Sequence, residues 1–582
     1  MEKYRNFRLS AYLFAHYLDR ADEKDIQEKI DFYKRYVNLD KVYIENHRSN
    51  IDIPVEKLKK VKVLFEKNGI EAAGGITSTA VVDGIRKPTV FDTFCYTDER
   101  HREKYLQIVR DIASVFDEII LDDFFFTACR CEKCIAAKGS KSWAQYRLEL
   151  MEDFSRVIVA EAKKINPNVK FVIKYPNWYE SYQETGYNPG KQRDIFDGIF
   201  TGTETRDPVY TAQHLQRYES YSIIRLMENT APGRNGGGWI DPFGSFNNIN
   251  CWLEQAQLTL LAGAKELMLF NFSILADSAF IPPLELSLRR IDSILDRAGT
   301  PCGVSVWEPF DADGEDQLYN YLGMGGVPFE PTPFFDADAP VILFTESTAC
   351  DETAMEKLEK YVREGGNAVI TTGFLRKCYD AGIKDMTSVR LTGRHVFGQE
   401  YMSDFANYTD ERFCRGFEPV MYEQLSYKTN ATWCDVALIA NENNFPVLTE
   451  DNYGKGRLFV LNVPENFADL YKLPADVWFA INKHLTLGQR VFISGQAKYN
   501  FFSFGNIFCI KSYRPMTDTV RITVRGECSG LRDIESGRTV TQSTLLPKPN
   551  HRIDACSIIA EDEERSFLVP VPAGMTVFFE II

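Results

Sequence analysis

Residues 118–134 read Glu118-Ile119-Ile120-Leu121-Asp122-Asp123-Phe124-Phe125-Phe126-Thr127-Ala128-Cys129-Arg130-Cys131-Glu132-Lys133-Cys134. The apolar run at the start predicts a buried strand, and this strand ends in two adjacent carboxylates. Charged residues separate the thiols of the C-x-C-x-x-C motif that follows, so the motif does not belong to an apolar core. The stretch therefore predicts an active-site loop at a strand end, held in place by a metal ion.

Four cysteines form the predicted metal site. They are Cys95, Cys129, Cys131 and Cys134. Closely spaced thiolates can converge on one tetrahedral ion, and zinc is the usual occupant of a four-sulfur site. Because four sulfur ligands leave no position open for water, we expect this Zn2+ to be structural. The alternative is that the four thiols are unrelated.

The composition excludes several classes of protein. The 582 residues include 82 acidic and 67 basic ones, giving a net charge of −15, and there is no basic run to indicate nucleic acid or an anionic membrane as a partner. No apolar stretch reaches the roughly 18 residues of a membrane helix. The N-terminus shows no secretory signal, and an odd count of 13 cysteines fits a reducing compartment. We expect a cytoplasmic protein of several domains.

The first 300 residues alternate strand and helix patterns. Eight strands, each followed by an amphipathic helix, predict a (β/α)8 TIM barrel over residues 1–300. The predicted strands are 8–17, 41–45, 70–76, 118–124, 169–175, 198–204, 223–228 and 265–272. The seventh of these also fits a helix end, in which case residues 237–240 are the strand.

The remaining chain predicts further domains. Residues 301–338 are rich in proline, glycine and aromatics, and we interpret them as a connecting segment. Strand and helix patterns resume over 339–488 and predict a second α/β domain. Short alternating strands with turn signals over 489–582 predict a small β-sandwich.

The working residues of such a barrel stand at the C-terminal ends of its strands. These ends are dense in carboxylates, amides and aromatics, which suits glycoside hydrolysis. In that reaction one carboxyl protonates the leaving oxygen while another attacks the anomeric carbon. The candidate residues are Glu45, His47, Asp122, Asp123, Lys174, Asn177, Trp178, Glu204, Arg206, Glu228, Asn229 and Asn271.

Several candidates also have ordinary structural interpretations. The adjacent Asp122 and Asp123 are also typical of a turn or a helix cap. Glu204 can pair with Arg206 on the rim, and Glu228 is a surface residue if its segment is helical. Histidines such as His47 are more often satisfied structural residues than ligands.

These features together resemble glycoside hydrolase family 42, the barrel β-galactosidases with a cysteine-bound zinc. The resemblance rests on the order of Cys95, the strand end Asp122-Asp123-Phe124 where the family has Asn-Glu-Tyr, the C-x-C-x-x-C motif and Trp143 in the next helix. The segment from Met227 to Gly233 is similar to the Met-Glu…Pro-Gly segment that carries the family nucleophile.

The resemblance implies roles for residues and domains. It makes Asp123 the general acid/base and Glu228 the nucleophile, with Glu204, Asp122, Lys174 and Asn177 binding sugar hydroxyls. It also implies that residues 339–488 are a flavodoxin-like domain that drives trimerisation, so we expect a homo-oligomer, specifically a trimer. An exo-acting, retaining, β-galactosidase-like hydrolase of oligosaccharides or small glycosides is the leading hypothesis.

Two departures from the family pattern leave alternatives open. Asp123 stands where the family has glutamate, and Asp122 where it has asparagine. A shorter acid changes the carboxyl separation on which the stereochemical outcome depends. One alternative is an α-glycosidase-type pairing, with a strand-four aspartate as nucleophile and Glu204 as acid. The other is a non-catalytic carbohydrate-binding protein.

Overall fold

The structure, a computed structural model, describes residues 2–80, 91–211, 215–246, 248–403, 413–544, 551–553, 558–560 and 564–582. The chain divides into two compact units, Met1–Asp296 and Arg297–Ile582. Within these described ranges, no helix combines the length and the apolar character that crossing a membrane requires.

Eight parallel strands of the first unit close into a barrel. The first strand pairs with both the second and the eighth, so the eight strands have no free edge. They are β1 (Arg8–Leu13), β2 (Lys41–Ser49), β3 (Glu71–Ala80), β4 (Glu118–Leu121), β5 (Lys170–Tyr175), β6 (Gly198–Gly202), β7 (Asn235–Ile240) and β8 (Glu266–Phe270). A short strand, Ile51–Asp52, pairs with the end of β2. The predicted (β/α)8 barrel is confirmed.

Helices cover the outside of the barrel. Asp22 and Asp25 form a capping box that begins the helix Glu23–Tyr36, whose buried residues recur at three- and four-residue spacing. The α-helices of this unit are Ala15–Arg20, Glu23–Tyr36, Val55–Lys67, Glu99–Ala113, Glu132–Lys138, Trp143–Ile165, Tyr182–Thr185, Pro189–Gln192, Glu219–Thr230, Ile249–Leu261, Phe272–Leu275 and Ile281–Leu295. A 3-10 turn spans Tyr179–Ser181.

One buried side chain from each strand fills the barrel interior. These side chains are Tyr12, Tyr43, Ala73, Ile120, Val172, Phe200, Trp239 and Met268. Tyr12 donates a hydrogen bond to Glu45, and the Trp239 ring lies against the ammonium group of Lys174. The apolar interior therefore ends in polar groups, which belong to the candidate site described below.

The seventh strand lies where the alternative interpretation put it. Residues 223–228 belong to the helix Glu219–Thr230, and the strand is Asn235–Ile240. The apolar residues at 223–227 are buried as helix residues. The preferred prediction of a strand at 223–228 is therefore wrong.

The second unit begins with a nine-stranded mixed sheet. Its strands are β9 (Val304–Trp307), β10 (Phe329–Thr332), β11 (Val341–Phe344), β12 (Asn367–Thr371), β13 (Arg390–Ser403), β14 (Phe413–Ser426), β15 (Trp433–Ala440), β16 (Asn443–Tyr453) and β17 (Gly456–Leu461). The order β10-β9-β11-β12-β17 is parallel, and β16, β15, β13 and β14 extend it antiparallel.

Two features of this sheet differ from the sequence-based prediction. Residues 301–338, predicted as a connecting segment, contribute β9 and β10 to the sheet, because the buried strand β9 pairs with β11 on one side and with β10 on the other. The antiparallel half has no counterpart in the predicted flavodoxin-like alternation. The α-helices are Leu318–Gly323, Ala354–Glu364, Thr372–Cys378 and Ala475–Leu485, and the 3-10 turns are Ser347–Cys350, Ile383–Asp385 and Phe467–Lys472.

Short strands after residue 490 form two facing sheets. One contains Val491–Ser494, Asp518–Arg525 and Glu564–Val571; the other contains Tyr499–Phe504, Ile507–Ser512, Leu531–Asp533, Thr539–Val540 and Thr576–Ile581. A further pair, His551–Ile553 and Ile558–Ala560, is antiparallel. Apolar residues from both sheets, including Phe501, Ile522 and Phe567, share one core. The predicted β-sandwich is present.

Candidate active site

Lys174 is the centre of a cluster of carboxylates at the C-terminal ends of the barrel strands. Its side chain is only 1% exposed, and its Nζ lies 2.7 Å from Oε1 of Glu204 and 3.1 Å from Oδ2 of Asp123. Oδ1 of Asp122 is 3.8 Å away. The same nitrogen sits 4.0 Å from the centroid of the Trp239 ring, a cation–π contact. One buried cation therefore brings together three of the predicted acids from β4 and β6.

Asp122 is held from the opposite side by Arg48. Nη2 of Arg48 donates to Oδ2 of Asp122 at 2.9 Å, and its Nε donates to both oxygens of Glu45 at 3.1 Å. The Thr77 hydroxyl donates to the same oxygen of Asp122 at 3.0 Å. Since the backbone N–H of Asp123 also donates to Asp122 at 2.8 Å, the Asp122 carboxylate is fully engaged within the protein.

Asp241, directly after β7, binds Arg206 in a two-pronged ion pair. Arg206 donates from Nε at 3.0 Å and from Nη2 at 2.6 Å to the two oxygens of Asp241. The backbone N–H of Phe243 donates to Asp241 at 3.1 Å. Arg206 has a φ of 54°, in the left-handed region. A paired geometry of this kind fixes the guanidinium plane on the rim beside Glu204.

The charges and burial of the cluster shift the pKa values of Asp122 and Asp123 in opposite directions. Burial raises the pKa of Asp123 to about 8; the charges of Asp122 and Glu204 act in the same direction, and Lys174 opposes them. Burial also acts on Asp122, but Lys174 and Arg48 outweigh it and lower its pKa. When the pKa values of two neighbouring carboxyls are shifted in opposite directions in this way, one is an acid held protonated near neutrality and the other is its ionised partner.

The pKa values of the other two rim carboxyls are both raised. Burial raises the pKa of Glu204, with Asp241 adding to the effect and Lys174 opposing it. Burial likewise raises the pKa of Asp241 against the charge of Arg206. The attraction of three carboxylates outweighs the burial of Lys174 and raises its pKa, so this lysine stays charged. Perturbed groups of this density mark a functional site rather than a surface ion pair.

Glu228 and Asn229 lie away from this cluster. Both belong to the last turn of the helix Glu219–Thr230, and Oε1 of Glu228 accepts a hydrogen bond from the backbone N–H of Gly233. The helix ends just before β7 begins, so its C-terminus lies at the N-terminal end of the barrel strands. The predictions that place Glu228 and Asn229 on the catalytic rim are therefore wrong.

Glu45 and His47, two other predicted sugar-binding residues, are buried and hydrogen-bonded within the protein. Glu45 is fully buried beneath Arg48 and Tyr12. Both ring nitrogens of His47 are engaged, Nδ1 with Asp52 and Nε2 with the Thr79 carbonyl, each at 2.7 Å. Both side chains are therefore engaged within the protein, and direct sugar binding by Glu45 and His47 stays a prediction.

Amide and aromatic candidates have mixed placements. Nδ2 of Asn177 donates to the backbone carbonyl of Glu204 at 2.9 Å, which orders the loop carrying that acid. Oδ1 of the buried Asn271 caps the short helix Phe272–Leu275. Trp178 is partly exposed and packs edge-on against Phe126 and Tyr187. Of these, Trp178 presents a surface that a sugar ring can contact.

Sequence reasoning missed two functional groups of the rim, Asp241 and Trp239. Asp241 directly follows β7. The alternative strand at 237–240 would have predicted it as a rim residue, because it is the acid at the end of that strand. Trp239 lies two residues before Asp241, within β7.

The four predicted cysteines come together next to the loop that follows β4. Their Sγ atoms all lie within 4.8 Å of one another. Cys95 is 3.8 Å from Cys131 and 3.5 Å from Cys134, and Cys131 is 3.6 Å from Cys134. Four sulfurs about 2.3 Å from one tetrahedral ion are about 3.8 Å apart, so the cluster fits a bound metal ion.

Comparison with known proteins places the barrel in a class. Residues 1–282 match the family model described as "Probable glycosyl hydrolase, catalytic domain", and residues 299–466 match the model described as "Uncharacterized protein SSO3021, second domain". The protein is a glycoside hydrolase. The uncharacterized protein SSO3021 of Saccharolobus solfataricus is 29% identical over 430 residues, which are 67% of this chain and 69% of that protein.

Solved structures with the same fold are more distant in sequence. A β-galactosidase from Bacillus circulans sp. alkalophilus has a TM-score of 0.63 and 11% identity, covering 99% of both chains. A catalytic mutant of Gan42B, a GH42 β-galactosidase from G. stearothermophilus, has a TM-score of 0.62 and 11% identity over 97% of this chain and 99% of that one. An exo-β-1,4-mannosidase from Opitutaceae bacterium strain TAV5 has a TM-score of 0.51 and 11% identity over 82% and 93%. The predicted distant resemblance to family 42 is confirmed.

Proposed function

We propose that the protein is an exo-acting, retaining glycoside hydrolase in which Asp123 is the general acid/base and Glu204 the nucleophile. The shared contact with Lys174 carries this proposal. Because Nζ lies 3.1 Å from one carboxylate and 2.7 Å from the other, their nearest oxygens are at most about 5.8 Å apart. Retaining enzymes hold their carboxyls about 5–5.5 Å apart, and inverting enzymes about 6.5–9.5 Å.

Exposure and charge support the division of roles. The Asp123 side chain is 26% exposed, compared with 6% for Glu204, so Asp123 is the more accessible of the two to a leaving group. Its raised pKa keeps it protonated near pH 7, as a general acid requires. Glu204 lies deeper and receives the shorter contact from Lys174, which opposes the rise of its pKa caused by burial and so favours its ionised, nucleophilic form.

The names of the similar structures suggest the substrate. Two are β-galactosidases and one is an exo-β-1,4-mannosidase. We therefore propose that the substrates are short oligosaccharides or small glycosides that carry a β-linked galactosyl group. β-Mannosides are the next class to assay. Arg206 and Trp178 would contact the sugar from the rim.

A set of nitrophenyl glycosides and two substitutions test the proposal. Asp123→Asn should spare activated aryl glycosides but abolish hydrolysis of poor leaving groups, because only the latter need protonation. Glu204→Gln should lower both by about a thousandfold or more. A fluorosugar should label Glu204, and NMR should show retention of configuration.

Other outcomes would identify the alternatives. A label on Asp122 or Asp123, together with leaving-group dependence in Glu204→Gln, would assign the pairing of a strand-four nucleophile with a Glu204 acid. Oligosaccharide binding without turnover of any glycoside would identify a carbohydrate-binding protein.

We also propose that the four-cysteine cluster holds a structural Zn2+. Cys129, Cys131 and Cys134 follow the two aspartates by a few residues, so the ion would anchor the loop that begins at Asp123. Lys133 and Asp98, 3.0 Å apart, tie the same loop to the helix Glu99–Ala113. Zinc would supply cross-linking only, since four thiolates complete its coordination.

Assembly and location complete the proposal. We propose a homotrimer, in keeping with the resemblance to family 42, and a cytoplasmic location, which suits the described cysteines because none of them is in a disulfide bond. Light scattering should then give three times the chain mass of 66.7 kDa. A mass near that of one chain at micromolar concentrations would contradict the trimer.

A further inference from the structure

A second group of metal-ligating side chains lies inside the mixed sheet of the second unit. Asp435 is in β15, Glu450 is in the neighbouring β16, and His484 is in the helix Ala475–Leu485. All three are buried, with exposures of 1%, 8% and 3%. One ligand atom from each residue lies within 4.8 Å of the other two. Two consecutive strands and a later helix thus converge on one point.

The spacing suits a shared ion. Nε2 of His484 is 3.0 Å from Oδ2 of Asp435. Ligands about 2.0–2.2 Å from one ion lie roughly 3–4.4 Å from each other. The imidazole is held in place by the Phe459 ring, whose centroid lies 4.4 Å away. The side chains are therefore positioned as in a coordination sphere with three protein ligands.

The chemistry of the cluster also suits a cation. Asp435 and Glu450 place two carboxyl groups beside the imidazole of His484 in a buried place, and Nη1 of Arg457 lies 3.8 Å from Oε1 of Glu450. Buried carboxylates are costly unless they are paired or coordinate a metal ion, and a divalent ion between these ligands would meet that requirement.

We propose that Asp435, Glu450 and His484 bind a divalent first-row cation of the Mn2+ or Zn2+ class. Two carboxylate oxygens and one imidazole nitrogen are ligands that such ions accept, in contrast to the thiolates of the cysteine cluster. The ion ties β15 and β16 to the helix Ala475–Leu485. This site is independent of the barrel and of its proposed chemistry.

Mn2+ added to the full-length protein separates the two metal sites, because a four-thiolate site disfavours this hard ion. Electron paramagnetic resonance of free Mn2+ should show one ion bound per chain, in the wild type and in Cys131→Ser alike. His484→Gln and Asp435→Asn should weaken binding by about tenfold or more. His395→Gln is the matched control, because His395 forms an exposed pair with Glu465 at 2.6 Å and should leave binding unchanged.

A direct measurement covers the case in which these variants fail to fold. Spin-echo modulation of the wild-type Mn2+ complex should show coupling to an imidazole nitrogen. Protein that binds neither Mn2+ nor a Zn2+ ion beyond the cysteine site would overturn the proposal. Bound Mn2+ without nitrogen coupling, or affinity unchanged in a folded His484→Gln, would overturn it as well.

Discussion

Lys174 donates to Glu204 over 2.7 Å, and this buried ion pair links β5 to the loop after β6. The same ammonium contacts Asp123 and lies over the Trp239 ring. A cation with three anionic neighbours stays charged and fixes where each carboxylate lies. The relative positions of the acid and the nucleophile are therefore set by a lysine rather than by either acid alone.

The pH dependence of hydrolysis should report on Asp123. Its pKa is raised to about 8, so the protonated acid is present below that pH and is lost as the pH rises through it. We expect kcat/KM for a substrate with a poor leaving group to fall about tenfold per pH unit above about 8. A profile of kcat/KM between pH 5 and 10 measures this alkaline limb.

Activated aryl glycosides provide the control for this profile. In Asp123→Asn their hydrolysis should continue without the alkaline limb near pH 8, because no proton from residue 123 is then required. The same limb persisting in Asp123→Asn would assign the titration to another group.

Glu228→Gln should leave activity close to that of the wild type. Its carboxylate accepts from the backbone N–H of Gly233 at the end of an outer helix, away from the catalytic rim. We expect kcat/KM to change by no more than about twofold, compared with a loss of about a thousandfold in Glu204→Gln. Parallel assays of the two glutamine variants on one nitrophenyl glycoside measure the difference. A large loss in Glu228→Gln would restore the role that the sequence resemblance gave it.

The barrel and its strand-four acids were predictable because local patterns specify them. The apolar run Glu118–Leu121 followed by two aspartates is a strand followed by rim residues in both sequence and structure. The short spacing of Cys129, Cys131 and Cys134 likewise fixes their proximity before any tertiary contact is known. Predicting these features requires only residues that are close together in the sequence.

Local patterns did not favour the true seventh strand, which the sequence offered only as the alternative interpretation. Its sequence, Asn235–Ile240, contains three glycines, which have little strand propensity. A Cβ on Gly237 would lie 2.0 Å from the Glu266 carbonyl oxygen, and one on Gly238 would lie 2.2 Å from Thr259. Close approach of the neighbouring strand and helix requires these glycines, and this is a tertiary constraint. Asp241 was missed for the same reason.

Cys131→Ser should reduce folding yield more than catalytic turnover. Structural zinc contributes to folding directly, and the serine hydroxyl is a poorer ligand than a thiolate. We expect less soluble protein, zinc lost from the cysteine cluster and a lower melting temperature, with kcat of the folded fraction largely retained. Elemental analysis and thermal unfolding measure these changes.

The matched control for the zinc prediction is Cys251→Ser. Cys251 is buried in the same unit but lies outside the cluster. It should keep the full zinc content. Wild-type protein purified without chelator that holds no zinc would contradict the prediction.

Gly202→Ala tests the position of the proposed nucleophile without altering any acid. A Cβ at Gly202 would lie 2.6 Å from Oε2 of Glu204, 3.2 Å from Cα of Pro176 and 3.3 Å from Cε of Lys174. Because the nearest atom is the end of a side chain, the fold should survive, but the carboxylate must move. A misplacement of about 1 Å can cost on the order of a hundredfold in rate, so we expect a loss of kcat of that size.

Gly198→Ala is the matched control. The added Cβ, at the start of the same strand, meets nothing closer than 3.5 Å, so this variant should retain activity. Kinetics and thermal unfolding of both variants decide the matter: equal activity in the two would show that the location of Glu204 does not limit the reaction.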